Sequence, residues 1–414
     1  MTLRSSRLQT LAALLVAAVY LAVTTPWLSV SEGVERFRFH DTVPYLAIAR
    51  SAPALPDVTI GSAYVYRWPL HWTIGALSQL LGVPVTAVYS ALAVTVTAAV
   101  VATVWSLSRA HGGLVSAVAA TGLVVVVPFD ARLFLVGPAM LADAVCALGV
   151  LVAVRGLLTV RTGRVVVGCL VMAVSRQSGA VVLPLVAAWC LVGPRWRDLP
   201  ARSRWLTAVP AVTIPAAAVG TALAVAAPFS TPYAPDPLRD NIVVDLLALP
   251  AGGIGVLRHL VLSVDSVWIA VVGFLVVALS ARRRTPSEAW WVFAVGVLLA
   301  VQPILVSPRF PGLLYNEPRI AAIGLPVLAV ALAIAWRCER LSRRGWVGLV
   351  SALALVSVTR DIGWPAVATP LALAANVLGA AFLFAVLRRS SIPPGPSPRV
   401  VTAPRGDRAT RAGA

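Results

Sequence analysis

The chain contains no lysine. Its 34 basic residues are all arginine and stand against 16 acids, which gives a formal net charge of +18. Charge of either sign is nevertheless scarce: charged side chains make up 12% of the 414 residues, and 59% are hydrophobic. So little polar surface excludes a water-soluble globular protein. There is no Walker phosphate loop, which requires a lysine, no dinucleotide fingerprint and no metal-binding cluster, so no metal site and no resident cofactor are expected. Cysteine is also sparse. Cys146, Cys169, Cys190 and Cys338 lie in or beside apolar runs, none at metal-ligand spacing from another. Buried thiols are expected, not disulfides or zinc. The positive charge does not point to nucleic acid, because no soluble segment is present to carry such an interface.

What the chain has is long apolar runs: 8–30, 84–107, 114–129, 133–154, 165–174, 180–192, 205–227, 264–280, 290–306, 320–336, 347–358 and 365–387. Crossing a bilayer takes roughly 20 apolar residues. The pattern therefore predicts an all-α integral membrane protein of about 11 to 13 transmembrane helices. The first run is too long for a signal-peptide core and no cleavage site follows it, so an uncleaved first helix is expected. Residues 1–389 form one polytopic transmembrane domain. Residues 390–414, rich in Pro, Gly, Ser and Arg, are expected to be a disordered cytoplasmic tail.

Arginine placement tests the order of the runs. With the N-terminus inside and the runs alternating, the arginine-dense short loops RTGR, GPRWRDLPARSR, RRR and RCERLSRR all fall on the cytoplasmic side. Both termini are then cytoplasmic in a multi-pass plasma-membrane protein. The alternation requires 165–192 to be a hairpin of two short helices with SRQSG at its tip; a single tilted span is the alternative. Its first arm has about ten residues, roughly 15 Å of helix, so the tip would sit below the outer surface.

The outer segments then hold most of the acids together with scattered arginines, the mixture that acid–base chemistry on an anionic ligand needs. In FRFHDTVPYLAIARS, a helix starting near Asp41 puts Asp41 and Tyr45 on one face. Asp41 could equally serve only as its N-cap. In YVYRWPLHW, Pro69 can start a helix beside Arg67 and His71. An interfacial aromatic belt accounts for Tyr64, Tyr66, Trp68 and Trp72. It does not account for Arg67, which stands on the outer side against the charge bias. The run that follows is expected to be a re-entrant or interfacial helix. Asp143, inside an apolar run, is costly at membrane depth and is either functional or a polar contact between helices.

Two of these stretches carry a resemblance. Asp41, Tyr45, Leu46, Ile48 and Ala49 match D-x-x-x-Y-L-x-I-A, and Tyr66, Arg67, Pro69 and Leu70 match Y-R-x-P-L. After a first span, this resembles the polyprenyl-phosphate-sugar-dependent glycosyltransferases of the GT-C superfamily, above all the actinobacterial membrane proteins of that type. SRQSGAVVLPL, 175–185, is similar to a further element of that superfamily. The chain departs from the pattern by placing His40, not a second acid, beside Asp41, and by having no large soluble C-terminal domain.

The resemblance implies a GT-C-like bundle with a long first extracytoplasmic loop carrying interfacial helices. It implies transfer of a hexose or pentose from a polyprenyl-phosphate donor to an envelope glycan or glycolipid acceptor on the outer face. Asp41 would be the catalytic base. Arg67 and Arg176 would bind the donor phosphate, with Arg309 and Arg319 in reserve. Tyr45, His71, Gln177, Tyr315 and Glu317 would shape the substrate site, the last two from the Pro-stiffened loop PRFPGLLYNEPR. The lipid-linked sugar would be a substrate, the expected partners being that lipid, its acceptor and membrane lipid. Two other functions fit the same layout: a secondary transporter of about twelve helices, and a non-catalytic membrane scaffold.

Overall fold

The computed structural model describes residues 3–25, 42–127, 130–135, 138–231, 267–280, 285–306, 316–358 and 368–390. They are almost entirely helical. Four helices are long and apolar enough to cross a membrane: Val85–Gly112, Met140–Thr159, Ala201–Phe229 and Pro370–Arg389. Seven shorter apolar helices accompany them.

In chain order α1 (Leu3–Thr24) leads to α2 (Thr42–Ser51), the two-residue strand β1 (Ile60–Gly61), α3 (Ser62–Val65) and α4 (Trp68–Leu81). Pro69 does open α4, whose N-cap is Arg67, and Gly82 closes it at φ 64°, a left-handed cap that glycine adopts without strain. The long α5 (Val85–Gly112) turns at Gly113 into α6 (Leu114–Val126), followed by the single turn α7 (Ala131–Phe134) and α8 (Pro138–Thr159). The run at 133–154 is thus displaced toward the C-terminus, because Pro138 starts the helix. Then come α9 (Thr162–Ser175), α10 (Gln177–Ala180), α11 (Leu183–Val192) and α12 (Ala201–Ala226), with β2 (Ser230–Thr231) beyond. β2 pairs in parallel with β1, Ile60 opposite Ser230, and ties the segment between α2 and α3 to the end of α12.

The last third holds α13 (Val267–Ser280), α14 (Ser287–Val306), α15 (Asn316–Ala322), α16 (Leu325–Trp336), α17 (Arg343–Val356) and α18 (Thr369–Arg389). The run at 320–336 is two helices, broken at Ile323–Gly324. Gly324 fits there because a side chain would strike the Gly296 carbonyl and the Ala300 backbone of α14. α16 is apolar all round and buried almost all round, as such a helix must be. It is the axis on which α5, α6, α13 and α14 pack. α1, by contrast, leaves Leu8, Leu11, Leu15, Val16 and Val19 exposed on its flank.

The bundle has two unlike ends. At one, Arg109 donates to both carboxylate oxygens of Glu339 at 2.9 and 2.8 Å, and Arg195 Nε lies 3.3 Å from Glu288. The segment 165–192 begins and finishes at this same end. Thr162 meets Thr207 at 2.6 Å, Arg204 donates to the Leu191 carbonyl at 2.7 Å, and Trp196 Nε1 donates to the Leu157 carbonyl at 3.0 Å. α9, α10 and α11 therefore form a hairpin. α9 has 14 residues, roughly 21 Å of helix, against a hydrocarbon thickness of about 30 Å. A groove of about 550 Å³ lined by Val276, Ser280, Phe384, Ala385 and Arg388 also opens where α13 and α18 finish, away from the residues described next.

Candidate functional site

At the opposite end, three segments bring charge into the interior. Asp143 sits in the second turn of α8, about 8 Å along the helix from its start, and is fully buried. Arg176 ends α9 in extended backbone, which aims its side chain across to α8, where Nη1 pairs with Asp143 Oδ1. Arg319, on α15, places Nε 3.0 Å from Asp143 Oδ2. That nitrogen and oxygen are close without the alignment of a hydrogen bond, so the contact is an ion pair held by charge. Both arginine side chains are 4% exposed. A carboxylate at this depth is costly alone; two arginines from separate segments offset that cost.

The fit of α8 against α9 makes the pairing possible. Gly149 and Gly168 face each other so closely that a side chain on either would strike the other helix's backbone. This is the small-residue contact that lets helices approach where no hydrophobic force drives them together. Gly179, at the hairpin tip, is pressed on the Met172 carbonyl in the same way.

A second group lies on α2 and α4. Gly75 brings α4 against the backbone of Ala49 on α2, where no side chain would fit. Tyr45 and His71 then stack, ring centroids 3.9 Å apart and planes 15° from parallel. Arg67 Nη1 donates to the Tyr45 hydroxyl, and its guanidinium lies 5.7 Å from the Tyr45 ring centre. His71 Nδ1 is 2.7 Å from the Tyr89 hydroxyl on α5, and that hydroxyl donates to the Tyr45 carbonyl at 3.4 Å. Burial first, and the Arg67 charge second, hold His71 well below its ordinary pKa, so the ring is neutral. Outside this knot, Trp68 Nε1 donates to the Ala222 carbonyl of α12 at 2.7 Å and Trp72 Nε1 to the Ala54 carbonyl at 2.9 Å. The tryptophans of this stretch are thus fixed to specific neighbours.

The two groups adjoin: α2 packs on α8 and α4 on α9, and Leu46 and Ala49 of α2 share an apolar cluster with Ile74 of α4 and Leu141 of α8. Of the residues singled out in the sequence, Arg67, Tyr45 and His71 come together, and Arg176 and Arg319 come together on Asp143. Asp41, Arg309 and Tyr315 lie outside the described residues, as do the side chains of Gln177 and Glu317; α2 begins at Thr42, immediately after Asp41.

The structure adds residues the sequence reading left out of the site. Asp143 is its hub, and the high cost of an intramembrane carboxylate was the signal that it must have cationic partners. Tyr89 carried no such signal, since tyrosine near a helix start is ordinary. Asp130 and Arg132, in the short segment between α6 and α8, are both fully buried. Arg132 turns inward because Nη2 donates to Val126 and, at 3.3 Å, to Ser357, carbonyls at the ends of α6 and α17 that no helical N–H serves. It also lies 6.0 Å from the centre of the Tyr20 ring.

Asp130 has no hydrogen-bond partner for either carboxylate oxygen among the described residues, and burial holds its pKa well above the ordinary range. A raised folded-state pKa contributes stability below the unfolded value, near 4, and loses it as pH rises toward the folded value. Asp130→Asn is therefore expected to raise the unfolding midpoint at pH 7.5 and to leave it unchanged at pH 4. Parallel thermal melts in detergent check this, and an equal shift at both pH values would contradict it.

Comparison of the chain with protein-family models found no match, and comparison with curated proteins found none either.

Proposed function

We propose that the protein is a membrane glycosyltransferase of GT-C type that takes its sugar from a polyprenyl-phosphate donor on the extracytoplasmic face. The observation that carries this reading is the convergence of Arg176 and Arg319 on Asp143, with Arg67 at the start of α4 on the helix pair packed beside α8 and α9. Three guanidinium groups buried at one end of an apolar bundle are suited to phosphate. Each is a planar fork able to grip two oxygens, and a dry surround strengthens the attraction. The arginine-rich loops at the other end support a cytoplasmic placement for that end, by the positive-inside rule, which puts the cluster outward.

In this reading an acceptor hydroxyl attacks the anomeric carbon of the sugar. The bond from that carbon to the phosphate oxygen breaks, and polyprenyl phosphate leaves with the electron pair. Asp41, just ahead of α2, takes the hydroxyl proton. A phosphate leaving group needs charge stabilisation more than protonation, which is the part given to Arg67, Arg176 and Arg319. Asp143 holds two of the arginines in place before the donor arrives. The polyprenyl chain lies along apolar helix faces and acceptor specificity lies in the outer segments. The transporter reading would use Asp143 as a coupling-ion site. Its pairing with two arginines speaks against a role that needs the carboxylate free.

The test is binding by the purified chain in nanodiscs. Decaprenyl phosphate is expected to bind and to raise the unfolding midpoint, whereas decaprenol, the same lipid without phosphate, is not. Arg67→Ala is expected to weaken binding by roughly tenfold or more, the worth of one charge-assisted hydrogen bond. Equal binding of phosphate and alcohol would rule the reading out.

A further inference from the structure

The contacts around His71 bear on which of its ring nitrogens carries the proton. The Tyr89 hydroxyl has one proton, and the carbonyl of Tyr45 can only accept. We assign that proton to the carbonyl, 3.4 Å away, which leaves the Tyr89 oxygen to accept from His71. With that assignment the nitrogen 2.7 Å away, Nδ1, is the N–H donor. In a neutral ring this leaves Nε2 as a bare lone pair. His71 is fully buried, and Nε2 has no hydrogen-bond partner among the described residues. Stacking on Tyr45 and the bond to Tyr89 fix the plane of the ring, so the lone pair has one direction. It belongs to the same knot as Arg67, beside the arginine–Asp143 group.

A buried acceptor without a partner costs on the order of 1–3 kcal/mol. A ligand that brings an O–H to it recovers that cost. Arginine cannot meet the need, having donors only. We propose that His71 is a specificity residue, its Nε2 accepting a hydrogen bond from a hydroxyl of the polyol whose phosphate the arginines hold. This rests on the phosphate reading above and adds to it. The arginines recognise the phosphate that any polyprenyl phosphate carries, whereas His71 recognises the sugar. Tyr89 is a positioning residue for it, because it selects the tautomer.

The experiment is nitrogen NMR of the full chain in nanodiscs with 15N-labelled histidine. The chain has four histidines, and His71→Phe identifies the signals of interest. The expected result is the less common tautomer, protonated at Nδ1 and bare at Nε2. Tyr89→Phe should convert part of the population to the other tautomer. Mannosyl and arabinosyl decaprenyl phosphate serve as hexose and pentose probes, with bare decaprenyl phosphate as control. At least one sugar lipid should move the Nε2 signal toward a hydrogen-bonded position, and the bare phosphate should not. His71→Phe should weaken that sugar lipid roughly tenfold more than it weakens the bare phosphate. An Nε2-protonated ring would overturn the proposal. So would sugar lipids that bind, seen by their phosphorus signal, without moving Nε2; that outcome leaves the phosphate reading standing. Failure of bare decaprenyl phosphate to bind at all removes both.

Discussion

Asp143→Ala is expected to destabilise the protein by about 3–5 kcal/mol, the usual cost of removing one partner from a buried ion pair. The size follows from what remains, two arginine side chains 4% exposed with their shared carboxylate gone. Asp143→Asn should lose nearly as much, because it keeps the shape and removes the charge. Asp143→Glu should keep part of the stability. Chemical unfolding in detergent gives the comparison, and an Asn variant with wild-type stability would mean that the ion pairs contribute nothing. A triple variant separates fold from ligand. Replacing Asp143, Arg176 and Arg319 by Leu, Met and Leu removes all three charges together, and such swaps are often neutral or stabilising. That variant should regain the fold and lose binding of decaprenyl phosphate. If it regained the binding as well, the arginines would not be the phosphate ligands.

The second large effect is expected at Gly168. A Cβ there would lie 2.6 Å from the Gly149 carbonyl oxygen and 2.8 Å from Ala153 Cα, and it would also strike the Ala153 nitrogen. These are backbone atoms of α8 and cannot rotate away. Gly168→Val must push α9 off α8, and overpacking of this kind costs typically 1–3 kcal/mol or more. The separation also draws Arg176 away from Asp143, since both are carried by these two helices. We expect Gly168→Val to abolish monodisperse expression and Gly168→Ala to lower the unfolding midpoint markedly. Gly163, on the same helix, has open space where its Cβ would be, so Gly163→Ala is the control. It should be neutral or stabilising, by up to about 1 kcal/mol of helix propensity. Equal losses at 163 and 168 would point to helix flexibility as the requirement at both sites.

Much of this arrangement could be read from the residues in order. Pro69 marked the start of α4, and arginine placement required the 165–192 hairpin. The resemblance to glycosyltransferases implied a common site for Tyr45, Arg67 and His71. The rest could not be read, for a physical reason. In water, hydropathy separates inside from outside. In a chain of apolar helices it does not: α16 is buried on nearly every side, while α1 shows leucine and valine outward, and both are apolar throughout. The sequence therefore identified helices and left their neighbours open. Asp143 could be seen to need a functional role or a polar partner, but that two of the 34 arginines would reach it depended on a break at Arg176 and another at Ile323–Gly324. The burial of Asp130 and Arg132 could not be read for a similar reason. Charged residues next to a loop look exposed unless the carbonyl ends of two distant helices are known to be waiting for a donor.

The position of α16 has a consequence for biosynthesis. It is the helix that the bundle surrounds, yet three-quarters of the chain is made before it. α5, α6, α13 and α14, which form its walls, leave the ribosome first and must wait in the bilayer with lipid in the place that α16 will take. Assembly cannot close from the centre outward. The nascent bundle has to keep an open seam until residues 325–336 enter, and only afterwards can α17 and α18, packed on each other, cover the outer faces of α6 and α13. A ribosome stalled before residue 325 would leave a membrane-embedded shell with lipid in its core, a species that quality-control proteases of the membrane could distinguish from the finished protein.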